Sequence, residues 1–364
     1  MDKIEDLGSI RVLLADENKA FGGAERHVLT LATELQEQGV LAALAARKQS
    51  WLAQNTGGLP FHAVGFRNEV DMLSVYNLYR KIKSDQVNII HCISHRDLVA
   101  SALARELPGA PKTYLIKAEH SYPDDNLSSL YRWAYRQCHA ITSVSQSLRT
   151  SMLAAVSPEK MTLTPVIHNG SRYPDSISPS EPLGERPLRI GVLSALRPGK
   201  GHSDFLQAMA NVTDVTDQAF EISLAGDGEL LDALRAQAQS LGLNVKFWGH
   251  VEDPFEYLSH IDLSVVPSHK ETFSLTASES MASGKAMICA DSEGVKEVCK
   301  DYPVSLYPTG DISALTQAIS DFCQAPEKKL EASLAEAEKA RMSFSSQQMA
   351  ASYIGLYREL LAIS

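Results

Sequence analysis

Short apolar runs alternate with amphipathic stretches along the whole chain. In the first half the runs are Ile10–Ala15, Leu41–Ala46, Asn88–Cys92, Thr113–Ala118, Ala140–Val144 and Thr164–Ile167. In the second half they are Leu188–Leu193, Phe220–Ala225, Val245–Trp248, Leu263–Val266, Ala286–Ala290 and Val304–Tyr307. Between the first two runs, Val28, Leu31, Ala32 and Leu35 recur at helical spacing within Ala24–Gln38, and Gly39 supplies the stop. Short continuous strands separated by helices predict parallel sheets covered on both faces, with right-handed crossovers.

The style of the pattern repeats across an interruption. Ser171–Pro187 holds Pro174, Pro179, Pro182, Gly184 and Pro187, a density that marks a linker. The expected organisation is an N-terminal Rossmann-like domain over 1–172, a linker over 173–187, a C-terminal Rossmann-like domain over 188–344 and a terminal helix over 345–364. Two helical patterns close the chain, Pro326–Arg341 and Ser345–Ile363. The second carries Met349, Tyr353, Leu356, Tyr357 and Leu360 as a core-facing stripe. Two doubly wound α/β domains suggest a cleft, with ligands at the C-terminal ends of strands.

Composition narrows the function classes. At roughly 150 residues per domain, 364 residues imply about two domains. Hydrophobic residues at 44% and charged residues at 21% fit a globular chain. A net charge of -10 argues against a nucleic-acid coat protein, yet allows a local basic pocket for an anion. The five cysteines, Cys92, Cys138, Cys289, Cys299 and Cys323, form no C-x-x-C pair and read as reduced core thiols. The acidic start, Met1-Asp2-Lys3-Ile4-Glu5-Asp6, does not read as a signal peptide. No apolar stretch approaches the ~20 residues that span a bilayer. The expectation is a cytoplasmic chain, with peripheral contact at the inner face of the membrane left open.

Three loops carry candidate chemistry. Phe21-Gly22-Gly23-Ala24-Glu25-Arg26 puts two glycines before a helix, where backbone amides can meet an anion, although paired glycines also make ordinary turns. No G-x-G-x-x-G follows a strand, which counts against a dinucleotide oxidoreductase. Ser194 to His202 sets Arg197 and Lys200 beside Gly199 and Gly201, a combination suited to a diphosphate in an otherwise acidic chain. Ser283-Gly284-Lys285-Ala286 fails the Walker pattern. After the strand Leu263–Val266, Glu271 lies in a loop and Glu279 one to two turns into a helix over Leu275–Ser283. Both can therefore face one ligand, where carboxylates accept from sugar hydroxyls. Helix-start dipole pairing explains Glu271 better than Glu279.

These residues resemble glycosyltransferase family 4, which has the GT-B fold. Glu271 to Glu279 fits the family's E-x7-E motif. Ala225-Gly226-Asp227-Gly228-Glu229-Leu230 resembles its G-D-G-x-L turn. Leu241-Gly242-Leu243, Phe247 to Val251, Gly22-Gly23-Ala24-Glu25 and Ile167-His168-Asn169-Gly170 also fit, in order along almost the whole chain. The resemblance implies two Rossmann-like domains facing a central cleft, with the last helix crossing back to the first. It implies a retaining, metal-independent transfer from a nucleotide-diphosphate sugar, with a UDP-sugar the leading expectation, to a hydroxyl of a glycan or lipid-linked acceptor. Surface glycan or lipopolysaccharide assembly is the implied setting. The nucleotide sugar is a substrate, and no resident cofactor, metal or nucleic acid is expected. No D-x-D occurs.

By the same resemblance, Lys200 and Arg197 neutralise the departing diphosphate. Glu279 holds the donor ribose and Glu271 the donor sugar. Thr272, Phe273, Ser274 and Leu275 contact sugar and phosphate, with Gly226 in the adjoining turn. His250 and Val251 border the base, and Gly22 and Gly23 let the first domain approach the phosphates. The family often has Arg where Ala195 stands, so Arg197 is the substitute. His120 resembles the family histidine near the donor sugar, and His95 and Arg96 fall on the acceptor side. A strand end between His91 and His95 argues against a shared metal. Arg132 and Arg136 flank Trp133 and Tyr135 on a helix whose ordinary reading is a solvated face, with an anionic membrane or acceptor as the rival. Asn126-Leu127-Ser128 and Asn211-Val212-Thr213 are formal glycosylation sequons only. Two alternatives keep the fold: a nucleotide-sugar epimerase or hydrolase, and a non-catalytic nucleotide-sugar binding subunit.

Overall fold

The apolar runs become parallel strands. The computed structural model describes residues 7–19, 22–123, 127–157, 162–175, 183–184, 186–214 and 218–363. Phe21, Asn126 and the linker residues 176–182 and 185 lie outside the described residues. The chain divides into two units, Met1–Arg172 with Ser345–Ser364, and Tyr173–Phe344.

The first unit runs β1 (Arg11–Asp16), α1 (Gly23–Glu37), β2 (Leu41–Ala46), α2 (Trp51–Gln54), β3 (Phe61–Ala63), α3 (Met72–Ser84) and β4 (Ile89–Cys92). It continues with α4 (His95–Arg105), β5 (Tyr114–Glu119), α5 (Ser129–Arg136), β6 (Ala140–Ser143) and α6 (Gln146–Val156). Its sheet has the order β3-β2-β1-β4-β5-β6, with every pairing parallel. The second unit runs β7 (Leu188–Leu193), α7 (His202–Thr213), β8 (Phe220–Ala225), α8 (Leu231–Ser240), β9 (Val245–Gly249), α9 (Pro254–Ser259) and β10 (Leu263–Val266). It continues with α10 (Leu275–Ala282), β11 (Ala286–Ala290), α11 (Glu293–Cys299), β12 (Ser305–Tyr307), α12 (Ile312–Gln324) and α13 (Pro326–Ser343). Its order is β12-β11-β10-β7-β8-β9, again parallel. Strand order reverses between β1 and β4 and between β7 and β10, the switch points where ligands of open α/β sheets bind.

Two strand expectations need correction. Thr164–Ile167 forms no strand. It makes isolated bridges at Leu163 and Val166, because Pro165 has no N–H for a ladder. The edge strand β3 was missed, since three residues, Phe61-His62-Ala63, show no period.

The last helix, α14 (Ser346–Ala362), belongs to the first unit. Its stripe, Met349, Tyr353, Leu356, Tyr357 and Leu360, is buried with Val28, Leu31 and Leu35 of α1. The tyrosine hydroxyls find partners inside. Tyr357 Oη lies 2.8 Å from His91 Nδ1, and Tyr353 Oη lies 3.1 Å from Thr142 Oγ1. The entry is pinned as well. Ser346 N donates to Ser171 O at 3.0 Å, and Ser346 Oγ donates to Glu34 Oε1 at 2.7 Å.

In the second unit, Asp262 opens β10 at the sheet edge away from the switch-point loops. It is fully buried and accepts from Arg186 at 2.7 and 2.8 Å and from Arg189 at 3.3 Å. Hydrogen bonds from the two arginines hold its carboxyl below the usual range against the opposing effect of burial. Lys285, which opens β11, is buried nearby, and burial lowers its ammonium to about 8. This cation belongs to the scaffold. Asp262→Asn leaves two half-buried guanidinium groups without their anion, and urea unfolding is expected to show a loss of about 3 kcal/mol. A loss within measurement error would show that the cluster does not hold the strand starts.

Candidate active site

In the second unit the loops after β7, β8 and β10 press together through glycines. Gly201 has φ +71°, and a Cβ there would overlap the Pro267 carbonyl. Gly226 (φ +135°) lies equally close to the Ser194 carbonyl. His269 N donates to Gly199 O at 2.9 Å, so the loop after β10 is tied to the loop after β7. Gly226 N donates to Gly249 O at 2.7 Å, which brings the end of β9, and so His250 and Val251, to the same edge.

On this platform Lys200 and Glu271 meet. Lys200 Nζ lies 2.7 Å from Glu271 Oε1, with both side chains partly exposed. Four residues follow Glu271 into α10. Thr272 is half-buried, Phe273 is buried with its ring 5.8 Å from that of Phe344, and Ser274 is the N-cap. Ser274 takes φ +79°, uncommon for a residue with a Cβ, and its Oγ accepts from Ala277 N at 3.2 Å. Thr276 Oγ1 donates to Leu193 O at 2.9 Å and fixes the helix start against β7. A Cβ on Gly294 would overlap the Thr272 carbonyl carbon, so α11 packs directly behind the loop. Glu279 is buried on α10, with 1% exposure. The result is a cation held by a carboxylate beside a helix N-terminus, whose dipole favours an anion. Arg197, three residues before Lys200, is exposed, so the structure does not join it to the Lys200–Glu271 pair.

The first unit collects a different set at its strand ends. Gly22 and Gly23 stand at the start of α1, over Glu25, which burial raises above the usual carboxylate range. Asp16 ends β1, fully buried, and is pushed up to about 7 by burial, with the charges of Glu25 and Glu17 adding to it. His120 follows β5, and its ring lies 4.3 Å from that of His27 on α1. Burial, then the neighbouring His27 and Lys117, push the His120 imidazole well below its ordinary value. His95 and Arg96 open α4. His95 stacks on Tyr131 at 4.6 Å and 20°, and its Nε2 lies 3.1 Å from Tyr135 Oη. Arg96 Nη1 lies 3.1 Å from Glu17 Oε2.

Sequence reasoning missed the groups behind this rim. Lys117 and Glu119 pair at 2.9 Å within β5, both buried, and Tyr135 Oη donates to Glu119 Oε1 at 2.6 Å. A chain therefore runs from Lys117 through Glu119 and Tyr135 to His95. The available signal was a lysine two residues from a glutamate at the end of an otherwise apolar run. Arg132, read above as part of a solvated helix face, is exposed and donates to the carbonyls of Leu127 and Ala155.

Comparison with known proteins assigns both units. Residues 175–341 match the family Glycosyl transferases group 1, and residues 21–170 match Glycosyltransferase Family 4. The chain belongs to the GT-B glycosyltransferases. A solved structure of Anabaena Alr3699/HepE in complex with UDP shares the GT-B fold, with TM-score 0.81 and 20% identity over 96% of this chain and 100% of that one. The phosphatidyl-myo-inositol mannosyltransferase of Mycobacterium leprae is 31% identical over 38% of this chain, and the match spans only 37% of that relative's length. An N,N'-diacetylbacillosaminyl-diphospho-undecaprenol alpha-1,3-N-acetylgalactosaminyltransferase from Campylobacter jejuni is 22% identical over 80% of this chain and 82% of its own. Among the described residues of this GT-B chain, no three metal-ligating side chains converge, and no helix is long and apolar enough to cross a membrane.

Two tests address the scaffold of these sites. Gly201→Ala combines a left-handed backbone with a steric overlap, whereas Gly199 (φ +81°) faces open space. Thermal unfolding is expected to show a cost of about 1 kcal/mol for Gly199→Ala and at least twice that for Gly201→Ala. Equal costs would mean that the loops are not pressed together. His27 is buried, and burial lowers its imidazole from 6.5 to about 4. The unfolded chain therefore takes up the proton first, and this contribution to stability is lost as pH falls below 6.5. Asp16, raised by burial, acts with the opposite sign. The isolating measurement compares wild type with His27→Phe. Between pH 7 and pH 5 wild type is expected to lose about 2 kcal/mol more than the variant. Parallel pH profiles would refute the assignment.

Proposed function

We propose that this chain is a retaining glycosyltransferase that moves a sugar from a nucleotide-diphosphate donor, foremost a UDP-sugar, to a hydroxyl acceptor in surface-glycan or lipopolysaccharide assembly. The observation that carries the reading is the Lys200–Glu271 pair, 2.7 Å apart, beside the α10 N-terminus and the buried Glu279. A diphosphate needs a cation and helix amides, and hydroxyl-rich groups need carboxylates; two adjoining loops and one helix supply all of these. The second unit takes the donor and the first takes the acceptor. The UDP complex of the fold relative and the diphospho-undecaprenol in a relative's name support a nucleotide-sugar donor and a lipid-linked acceptor.

The chemistry follows from the groups present. The bond from the donor's anomeric carbon to the diphosphate oxygen breaks, and the bond from that carbon to the acceptor oxygen forms on the same face. The acceptor proton passes to the departing diphosphate. Lys200, its ammonium oriented by Glu271, and the α10 amides stabilise the charge that grows on the leaving group. Arg197, standing near Ala195, adds a mobile second cation. Glu271 and Thr272 to Leu275 hold the sugar and phosphate, Glu279 the ribose, and His250 and Val251 the base. Gly226 lets the turn beneath them pack against the Ser194 carbonyl. In the first unit the resemblance gives His120 a donor-sugar role, Gly22 and Gly23 a phosphate role, and His95 and Arg96 an acceptor role. The reaction needs no metal.

A thermal-shift screen with UDP-, GDP- and ADP-sugars identifies the donor by selective stabilisation. With that donor and an acceptor that supports turnover, Lys200→Ala is expected to lower kcat by about a hundredfold or more. Unchanged turnover removes Lys200 from the mechanism. Donor epimerisation without acceptor, at the rate of any transfer, overturns the transferase reading.

A further inference from the structure

Tyr131 and Tyr135 stand four residues apart on α5, so their rings leave the same face of the helix. Both hold His95, the first residue of α4. The His95 ring stacks on Tyr131 with centroids 4.6 Å apart and 20° between planes, and it meets Tyr135 edge-on at 5.9 Å. Its Nε2 lies 3.1 Å from Tyr135 Oη. A stack and a hydrogen bond together fix the orientation of the imidazole. The backbone beneath it is fixed too. Ser94 N donates to Asp97 Oδ2 at 2.9 Å, and Arg96 N donates to Glu17 Oε1 at 3.2 Å.

The hydrogen bonds behind His95 run in one direction. Lys117 Nζ lies 2.9 Å from Glu119 Oε1 and donates to the carbonyls of Ile93 at 2.9 Å and Ala118 at 2.8 Å, which uses its three hydrogens. A carboxylate facing that ammonium offers lone pairs only, so Tyr135 Oη donates its hydrogen to Glu119 at 2.6 Å. Burial and the Glu119 charge raise the Tyr135 phenol well above its ordinary value, which keeps that hydrogen in place. Tyr135 Oη then accepts from His95. The imidazole is thereby the tautomer with hydrogen on Nε2, and its lone pair for hydrogen bonding lies on Nδ1. Lys117, Glu119 and Tyr135 are buried, whereas His95 is half-buried at the outer end of the chain of bonds. A buried ion pair adds little stability over apolar residues of the same shape, so the needs of β5 alone do not account for Lys117 and Glu119.

We propose that Tyr135 and Glu119 are positioning residues that hold His95 with Nδ1 turned to accept a hydrogen bond from a hydroxyl of the sugar acceptor. This rests on the acceptor role proposed above for His95 and Arg96. His95 orients the acceptor and takes up no proton in the transfer. The neighbouring charges favour a neutral group at this point. Arg96 Nη1 lies 3.1 Å and Arg47 Nη2 3.4 Å from Glu17 Oε2, so the local cations are paired with a carboxylate. A bare Nδ1 repels a carboxylate or phosphate oxygen and accepts an O–H. The uncharged, hydroxyl-bearing part of the acceptor therefore meets the start of α4, and a phosphate of the acceptor lies elsewhere.

Nitrogen NMR of the full chain, isotope-labelled at histidine, reads the tautomer, because protonated and bare ring nitrogens resonate far apart. The His95 signals are assigned by their loss in His95→Asn. At about pH 8, where an ordinary imidazole is neutral, wild type is expected to carry hydrogen on Nε2 and Tyr135→Phe to show both tautomers. Methyl α-glucoside, methyl α-galactoside and methyl α-mannoside then serve as neutral probes, with inorganic phosphate as the anionic one. At least one hexoside is expected to shift the Nδ1 signal saturably, and phosphate is not. Tyr135→Phe weakens the hold on that hexoside about tenfold. A hydrogen bond with a merely structural role would alter the tautomer and leave this affinity unchanged. The proposal falls if wild type carries hydrogen on Nδ1, if no hexoside moves that signal or phosphate moves it equally, or if Tyr135→Phe binds the hexoside as wild type does. The wild-type results need no variant, and circular dichroism confirms that Tyr135→Phe is folded. Stabilisation by a UDP-sugar is read on the same samples. If it persists while His95 ignores the hexosides, only this acceptor contact is withdrawn. If it is absent while His95 binds a hexoside, the transferase reading falls and a hydroxyl-binding site remains.

Discussion

A parallel sheet buried on both faces has no wet face on which to build a site. Everything polar that must meet a ligand is driven to the strand ends, and right-handed crossovers return every chain segment to the same edge. Both units obey this constraint. In the second, the loops after β7, β8 and β10 are packed so tightly that Gly201 and Gly226 leave no room for a side chain. That crowding sets Lys200 against Glu271 although 71 residues separate them. The ion pair is a product of backbone packing more than of its own modest attraction, which is small for partly exposed charges.

The fold was largely legible because its signal is repetitive. Apolar runs separated by helices specify parallel strands, and Leu41–Ala46, Leu188–Leu193 and Leu263–Val266 match β2, β7 and β10 residue for residue. The misses have local causes. Pro165 withholds a ladder donor from a run that is otherwise β-like, and β3 is too short to carry a period. The candidate site was legible wherever chemistry and spacing coincide. Glu271, eight residues before Glu279, is such a case, with the loop and helix start between them. It was illegible wherever partners come from distant elements. Nothing near Tyr135 in the chain announces that its hydroxyl reaches Glu119. Nothing near Arg132 announces that the carbonyl of Ala155 reaches it.

The two units handle charge differently. The second buries Asp262 among Arg186, Arg189 and Lys285 at the edge away from the switch-point loops, so scaffold electrostatics are kept apart from Lys200 and Glu271. The first mixes the two at one edge. Asp16, Glu25 and Asp97 are all raised by burial, close to histidines held neutral by the same cause.

The placement of α14 bears on how the protein is made. The second unit is one unbroken segment, 173–344, and emerges from the ribosome whole. The first is begun earlier but lacks Met349, Tyr353, Tyr357 and Leu360 until the whole of the second has been made. Until then Val28, Leu31 and Leu35 lack part of their cover, and His91 and Thr142 lack their tyrosine partners. The first unit is therefore completed after the second, although it is begun before it. A nascent chain stalled short of residue 345 would carry a finished second unit and an open first one, the form that chaperones recognise.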